Sequence, residues 1–120
     1  MFEKLAEVFV RQVSRSKLRI IATLSSKMGS IDDNASGGSY YYRTSKAAVN
    51  MVTKSLAMDL KRHGITAVVF NPGWVQTDMG GPNAMITVEQ SVTGLRQVIA
   101  RLTPADSGKF FDYDGQEIAW

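Results

Sequence analysis

The sequence predicts an α/β fold built on a small parallel sheet. Two observations carry that expectation. Short apolar runs rich in β-branched residues, LRIIATL at 18–24 and ITAVVF at 65–70, read as strands buried on both faces. Segments with helical apolar spacing alternate with the strands, in the order helix, strand, helix, strand, helix, strand. Alternation of this kind implies parallel strands joined by right-handed crossovers.

Taken in order, Phe2, Leu5, Phe9 and Val13 mark one face of a first helix over 2–14. The first strand follows at 18–24. Residues 25–39, SSKMGSIDDNASGGS, are loop-forming in composition. A long helix is expected from Tyr41 to Arg62, with Ala48, Met51, Val52, Leu56 and Leu60 on its apolar face. Gly64 should stop it, and Lys61, Arg62 and His63 suit the negative end of its dipole. The second strand, 65–70, breaks at Asn71-Pro72-Gly73, because proline cannot continue a central ladder. Thr87 and Gln90 form a capping box for a third helix to about Leu102. Lys109 to Tyr113 reads as a third strand, Asp114-Gly115 as a turn and Gln116 to Trp120 as a short tail.

Composition narrows the function. The 120 residues make a single domain spanning 1–120. A chain of this size buries about two-thirds of its unfolded surface, enough for one modest core. There are no cysteines, so disulfides, thiol catalysis and cysteine-ligated zinc are excluded. One histidine makes a histidine-based metal site improbable, and no metal is expected. The net charge is +3, and the densest basic cluster, Arg11, Arg15, Lys17 and Arg19, lacks the interleaved aromatics of a nucleic-acid stripe. It reads as a solvated helix end, and no nucleic-acid partner is expected. No apolar run approaches the roughly 18 residues of a membrane span. Acidic residues interrupt the N-terminus, unlike a signal peptide. A cytoplasmic protein without membrane contact is the expectation.

The chemistry concentrates in Tyr42-Arg43-Thr44-Ser45-Lys46. Tyr42 and Lys46 are four apart on the predicted helix and share a face. A neighbouring ammonium favours the charged form of a phenol, which suits the pair to acid–base work nearer neutral pH. Alone, this spacing is also that of many surface pairs. Its context is more specific. The strand before it ends in Ser25-Ser26, followed by Gly29-Ser30, and the strand after it ends in Pro72-Gly73-Trp74-Val75-Gln76-Thr77. All lie at or just beyond expected carboxyl ends of strands, where ligands bind in open α/β sheets.

This constellation resembles the short-chain dehydrogenase/reductase family, nearest its C-factor and sniffer-type carbonyl reductase branch. The likeness runs through GSIDDNASGGSYYYRTSKAAVNMVTKSLAMDL, FNPGWVQTDMGG and FFDYDGQEIAW, nearly the whole chain from about residue 18. It implies the C-terminal half of a Rossmann-like doubly wound sheet, and an NAD(P)-dependent oxidoreductase acting on carbonyls or alcohols. Ser26, rather than Ser25, would hydrogen-bond the substrate oxygen. Tyr42 would donate the proton during reduction. Lys46 would favour the phenolate form of Tyr42 and bond the nicotinamide ribose. Pro72, Gly73 and Val75 would line the nicotinamide pocket, and Thr77 would bond its carboxamide.

The sequence departs from the family at its start. It has no G-x-G-x-x-G turn or related run to hold a pyrophosphate, and Gly37-Gly38 and Gly80-Gly81 lack the required strand–helix context. The family's Asn-Ala-Gly stretch and the asparagine of its catalytic tetrad are also missing; both would lie upstream of Met1. The chain alone is therefore expected to bind NAD(P) weakly and to be inactive. The bare apolar edge of strand 18–24 invites pairing with another chain. The family's long helices form a dimer interface, and Ala47 and Ala48 suit close packing there. A homo-oligomer, dimer or tetramer, is expected, with a complementing N-terminal half or a full-length relative as a further partner. Three functions stand open: an oxidoreductase completed by an N-terminal piece, a non-catalytic interaction or signalling module, and an inert remnant.

Overall fold

A computed structural model describes residues 2–120, except the side chains of Phe2, Glu3, Leu5 and Ala6. Three helices and three strands alternate as the sequence predicts: α1 (Phe2–Arg15), β1 (Ile20–Leu24), α2 (Tyr40–Asp59), β2 (Thr66–Asn71), α3 (Val88–Arg101) and β3 (Phe110–Asp112). The strands form one parallel sheet in the order β1-β2-β3. Ile20 pairs with Thr66, and Phe70 with both Leu24 and Phe111.

Helix ends follow local chemistry. The α-helical part of α2 stops at Asp59, short of the expected Arg62; a 3-10 turn, Lys61–His63, carries the chain to Gly64 in the left-handed region. Both halves of the Thr87–Gln90 capping box are present at the start of α3.

The two faces of the sheet are covered differently. On one, α3 brings Leu95, Val98 and Ile99, with Leu102 at its C-cap, onto Val68, Phe70 and Phe111. On the other, Val10 and Val13 of α1 meet Val52 and Leu56 of α2 and Leu60 at its C-cap, over Ile21 and Ile65. Burial is complete along β2, every residue of which is buried.

Two expectations need correction. β1 is not buried on both faces. Ala22 and Leu24 are exposed, Leu24 by 59%, because α3 reaches only β2 and β3. Their registry with Val68 and Phe70 puts them on the α3 side, where α3 packs on β2 and β3 and leaves the outermost strand exposed among the described residues. The apolar faces of the helices are also rotated. In α1, Phe9 is 52% exposed, and Val10 packs with Val13 instead; the side chains of Phe2 and Leu5 are not among those described. In α2, Ala48 and Met51 are exposed, whereas Val52, Leu56 and the C-cap residue Leu60 pack inward.

Candidate active site

The carboxyl ends of β1 and β2 and the first turns of α2 meet at one edge of the molecule. Chain reversal after β1 places the serines. The Ser25 amide extends the ladder to the Phe70 carbonyl at 2.8 Å. Ser26 then caps a single 3-10 turn, Lys27–Gly29, and its Oγ accepts from the Met28 amide at 3.1 Å. That bond uses an oxygen lone pair and leaves the hydroxyl proton available. The Ser25 side chain, by contrast, is buried and donates to the Lys46 carbonyl at 3.4 Å.

This turn docks directly on α2. A Cβ on Gly29 would lie 2.8 Å from the carbonyl carbon and 2.9 Å from the Cβ of Lys46. Only a residue without a side chain permits such an approach. Arg43 closes the other side, donating to the Met28 carbonyl at 3.4 Å and to Ser36 Oγ at 3.1 Å. Tyr42 and Lys46 stand on the same stretch of helix, the Lys46 ammonium 5.6 Å from the Tyr42 ring centroid. That distance is within cation–π reach. Tyr42 is 42% exposed, and among the described residues no hydrogen bond engages its hydroxyl and no ion pair engages Lys46.

The Asn71-Pro72-Gly73 segment is held from three sides. Asn71 is buried; its Oδ1 accepts from the Lys27 amide at 3.1 Å, and its Nδ2 donates to Asp112 Oδ1 at 3.0 Å. Buried Ser91 of α3 donates to the Pro72 carbonyl at 2.6 Å. Gly73, at φ +85°, sits against Ile86 and Tyr113, leaving no room for a side chain. Val75 forms a lone parallel bridge with Ile86, which closes the loop between them. Thr77 is exposed, and its Oγ accepts from the Gly80 amide at 3.1 Å. An open depression of about 440 Å³ lies beside it, lined by Gln76, Thr77, Asp78, Gly81 and Pro82. Neither that depression nor the cavity between the 30–33 loop and the C-terminal tail is lined by Tyr42 or Lys46.

The sequence pattern puts Ser26, Tyr42 and Lys46 near one another but does not show what holds them. Asn71 was legible only as part of a turn, and Arg43 only as a spacer in the Tyr–Lys motif. Asn50, one turn beyond Lys46, is 3% exposed with neither amide atom partnered among the described residues.

A family model for short chain dehydrogenases matches residues 2–85. The chain belongs to the short-chain dehydrogenase/reductase family. It is 50% identical over 103 residues to C-signal of Myxococcus xanthus, covering 86% of this chain and 62% of that one. It is 41% identical to 1-hydroxy-2-glutathionyl-2-methyl-3-butene dehydrogenase of a Rhodococcus species, covering 83% of this chain and 46% of that enzyme. Among solved structures, carbonyl reductase Sniffer of D. melanogaster superposes with a TM-score of 0.88 at 38% identity, over 98% of this chain and 50% of that one. NADPH-bound carbonyl reductase from chicken fatty liver gives 0.87 at 36% identity, over 97% and 51%. This family member thus spans about half the length of most of these relatives. Its sheet is the Rossmann-like fragment expected, and no described helix is long and apolar enough to cross a membrane.

Proposed function

We propose that these residues form the proton-transfer half of an NAD(P)-dependent carbonyl reductase. One observation carries the reading: Tyr42 and Lys46 stand side by side on α2, beside a serine turn that Gly29 seats directly against that helix. Ser26 donates a hydrogen bond from its free hydroxyl to a substrate carbonyl oxygen and orients it. Tyr42 supplies a proton to that oxygen as it gains charge, and Lys46 stabilises the phenolate left behind.

The available donors fit the nicotinamide end of a dinucleotide. Lys46 would hold the ribose, Thr77 the carboxamide, and Pro72, Gly73 and Val75 the ring. When bound, that cofactor supplies the hydride. Nothing in these 120 residues suits the pyrophosphate, since no glycine-rich turn opens a helix N-terminus. Tight NAD(P) binding and turnover therefore belong to an assembly that includes a segment equivalent to the relatives' other half. The cytoplasm, where NAD(P) is plentiful, is the proposed setting.

A second reading, a non-catalytic homo-oligomeric interaction module, draws on exposed apolar surface. Leu24 and Ala22 lie bare on β1, and Tyr41, Ala48, Met51 and Met58 are exposed on α2. Either surface suits a second copy, as a dimer or a tetramer.

Calorimetric titration with NADPH and NADH separates the readings. The 120-residue chain alone is expected to show no saturable binding. Adding a polypeptide equivalent to a relative's N-terminal half should restore both NADPH binding and carbonyl reduction. Failure of that mixture to reduce any carbonyl, with the chain folded and self-associated, would favour the second reading.

A further inference from the structure

We propose that the C-terminal segment, residues 116–120, is a strap that sets the position of the serine turn, with Ser30 and Trp120 as its positioning residues. The inference rests on the proposed function only in giving Ser26 a catalytic task. The strap itself is argued from contacts.

One end of the strap is fixed to the sheet. It runs antiparallel beside β3, the Asp112 amide donating to the Gln116 carbonyl at 2.8 Å and the Ile118 amide to the Phe110 carbonyl at 2.8 Å. Ile118 packs with Val69 and Phe110. The Trp120 ring stacks on Phe110 with centroids 5.5 Å apart, and the Lys54 ammonium lies 5.9 Å from the Trp120 ring.

The other end reaches the loop that leaves β1. Ser30, only 2% exposed, donates its hydroxyl to the Ala119 carbonyl at 2.6 Å, and the Asp32 amide donates to the Trp120 carbonyl at 3.0 Å. Ser30 Oγ also accepts from the Asp33 amide at 3.1 Å. Residues 31–39 beyond this point are exposed throughout. Ordering an exposed loop costs conformational entropy that its few contacts must offset. For the segment from the serine turn through the loop they include the Gly29 seat on α2, the Arg43 and Asn71 bonds, the Lys27–Asp33 ion pair at 3.5 Å and the two strap bonds.

Between strap and loop lies a polar cavity of about 170 Å³, lined among others by Lys27, Asp32, Asp33, Asp112 and Glu117. The seam is therefore closed by discrete hydrogen bonds, while the stacked Trp120 ring holds the strap itself to the sheet. A seam built this way opens locally while the sheet stays folded. When it opens, the turn that carries Ser26 loses one of its supports.

Hydrogen–deuterium exchange of the 120-residue chain tests this, using Ser30→Ala and, separately, Trp120→Ala. In both variants exchange within 25–39 should rise about tenfold, while 66–71 and 88–101 stay within about twofold of the parent. Unchanged exchange in 25–39 overturns the strap. So does an equal rise in β2 and α3, which would make the tail merely part of the global core. In the assembly that reduces carbonyls, Ser30→Ala should raise the carbonyl KM about tenfold and leave the NADPH Kd within about twofold. Equal effects on both, or on neither, overturn the positioning role. If no assembly reduces a carbonyl, the proposed function falls and the exchange result alone decides the strap.

Discussion

Gly29 and Lys46 touch backbone to backbone: a Cβ on Gly29 would sit 2.8 Å from the Lys46 carbonyl carbon. The serine turn and the Tyr–Lys helix are held together at this point. Because the obstacle is helix backbone, it cannot swing aside as a side chain would. Gly29→Ala should therefore destabilise the chain by about 1–3 kcal/mol, the usual range for overpacking. Urea denaturation midpoints measure the loss. A variant as stable as the parent would mean that the turn can lift off α2 at little cost.

What was legible in the sequence was local. The Thr87–Gln90 box spans three residues, and it is formed as read. β2 lies in the centre of the sheet, so its uniformly apolar run matches its burial. β1 has the same composition, yet Leu24 is exposed, because burial there depends on whether a helix reaches across the outermost strand. Asn71 illustrates the same limit. Its partners Lys27 and Asp112 are 44 and 41 residues away, so no short window reveals more than a turn. The Gln116–Trp120 tail likewise reads as a trailing end until its pairing with β3 is seen.

Tyr42→Phe should separate chemistry from folding. The Tyr42 hydroxyl makes no hydrogen bond among the described residues, and the ring is 42% exposed. Unfolding free energy should stay within about 0.5 kcal/mol of the parent, as for surface substitutions generally. In the reconstituted carbonyl reductase, the same change should lower turnover by about 10²–10⁴-fold, the range for loss of a general acid. Retained turnover would remove Tyr42 as the proton donor.

Asn71→Asp tests the clasp between the serine turn and β3. Asn71 Nδ2 donates to Asp112 Oδ1 at 3.0 Å. An ionised carboxylate there has no proton to donate and faces another carboxylate. The loss should be about 2 kcal/mol at neutral pH, in line with a buried polar group left unsatisfied. The deficit should shrink in mild acid, as one of the two carboxyls takes up a proton and becomes a donor. Thermal melting at pH 7 and pH 4.5 reads the difference; an equal loss at both would point to shape and not charge.

Asp106 gives stability a defined acid dependence. Its carboxyl is held below the ordinary value of 3.8, chiefly by the hydrogen bond from the Thr103 amide, with burial opposing and Lys109 assisting. A carboxyl depressed by folding stabilises the chain fully above its unfolded value. That contribution fades as pH falls through the lower, folded value. Asp106→Asn removes the titration. The gap in melting temperature between parent and variant should be constant above pH 5 and close as pH falls below 3.8. A gap independent of pH would assign the effect to cap geometry.

The open edge of β1 supplies the last prediction. An edge strand with unpaired backbone and exposed apolar side chains is a template for another chain. Leu24 is 59% exposed on the face that α3 leaves bare. Leu24→Lys places a charge there, the device by which natural edge strands resist pairing. If copies of the chain associate through β1, the variant should weaken self-association by at least about tenfold in sedimentation velocity, with its helical circular dichroism unchanged. Met51→Lys, on the exposed face of α2, should then have little effect. The reverse pattern would move the interface to the helix. An edge left open by a helical interface remains available to a complementing half, whereas strand pairing between two copies would compete with it. The two variants therefore also report whether self-association and completion of the cofactor site exclude one another.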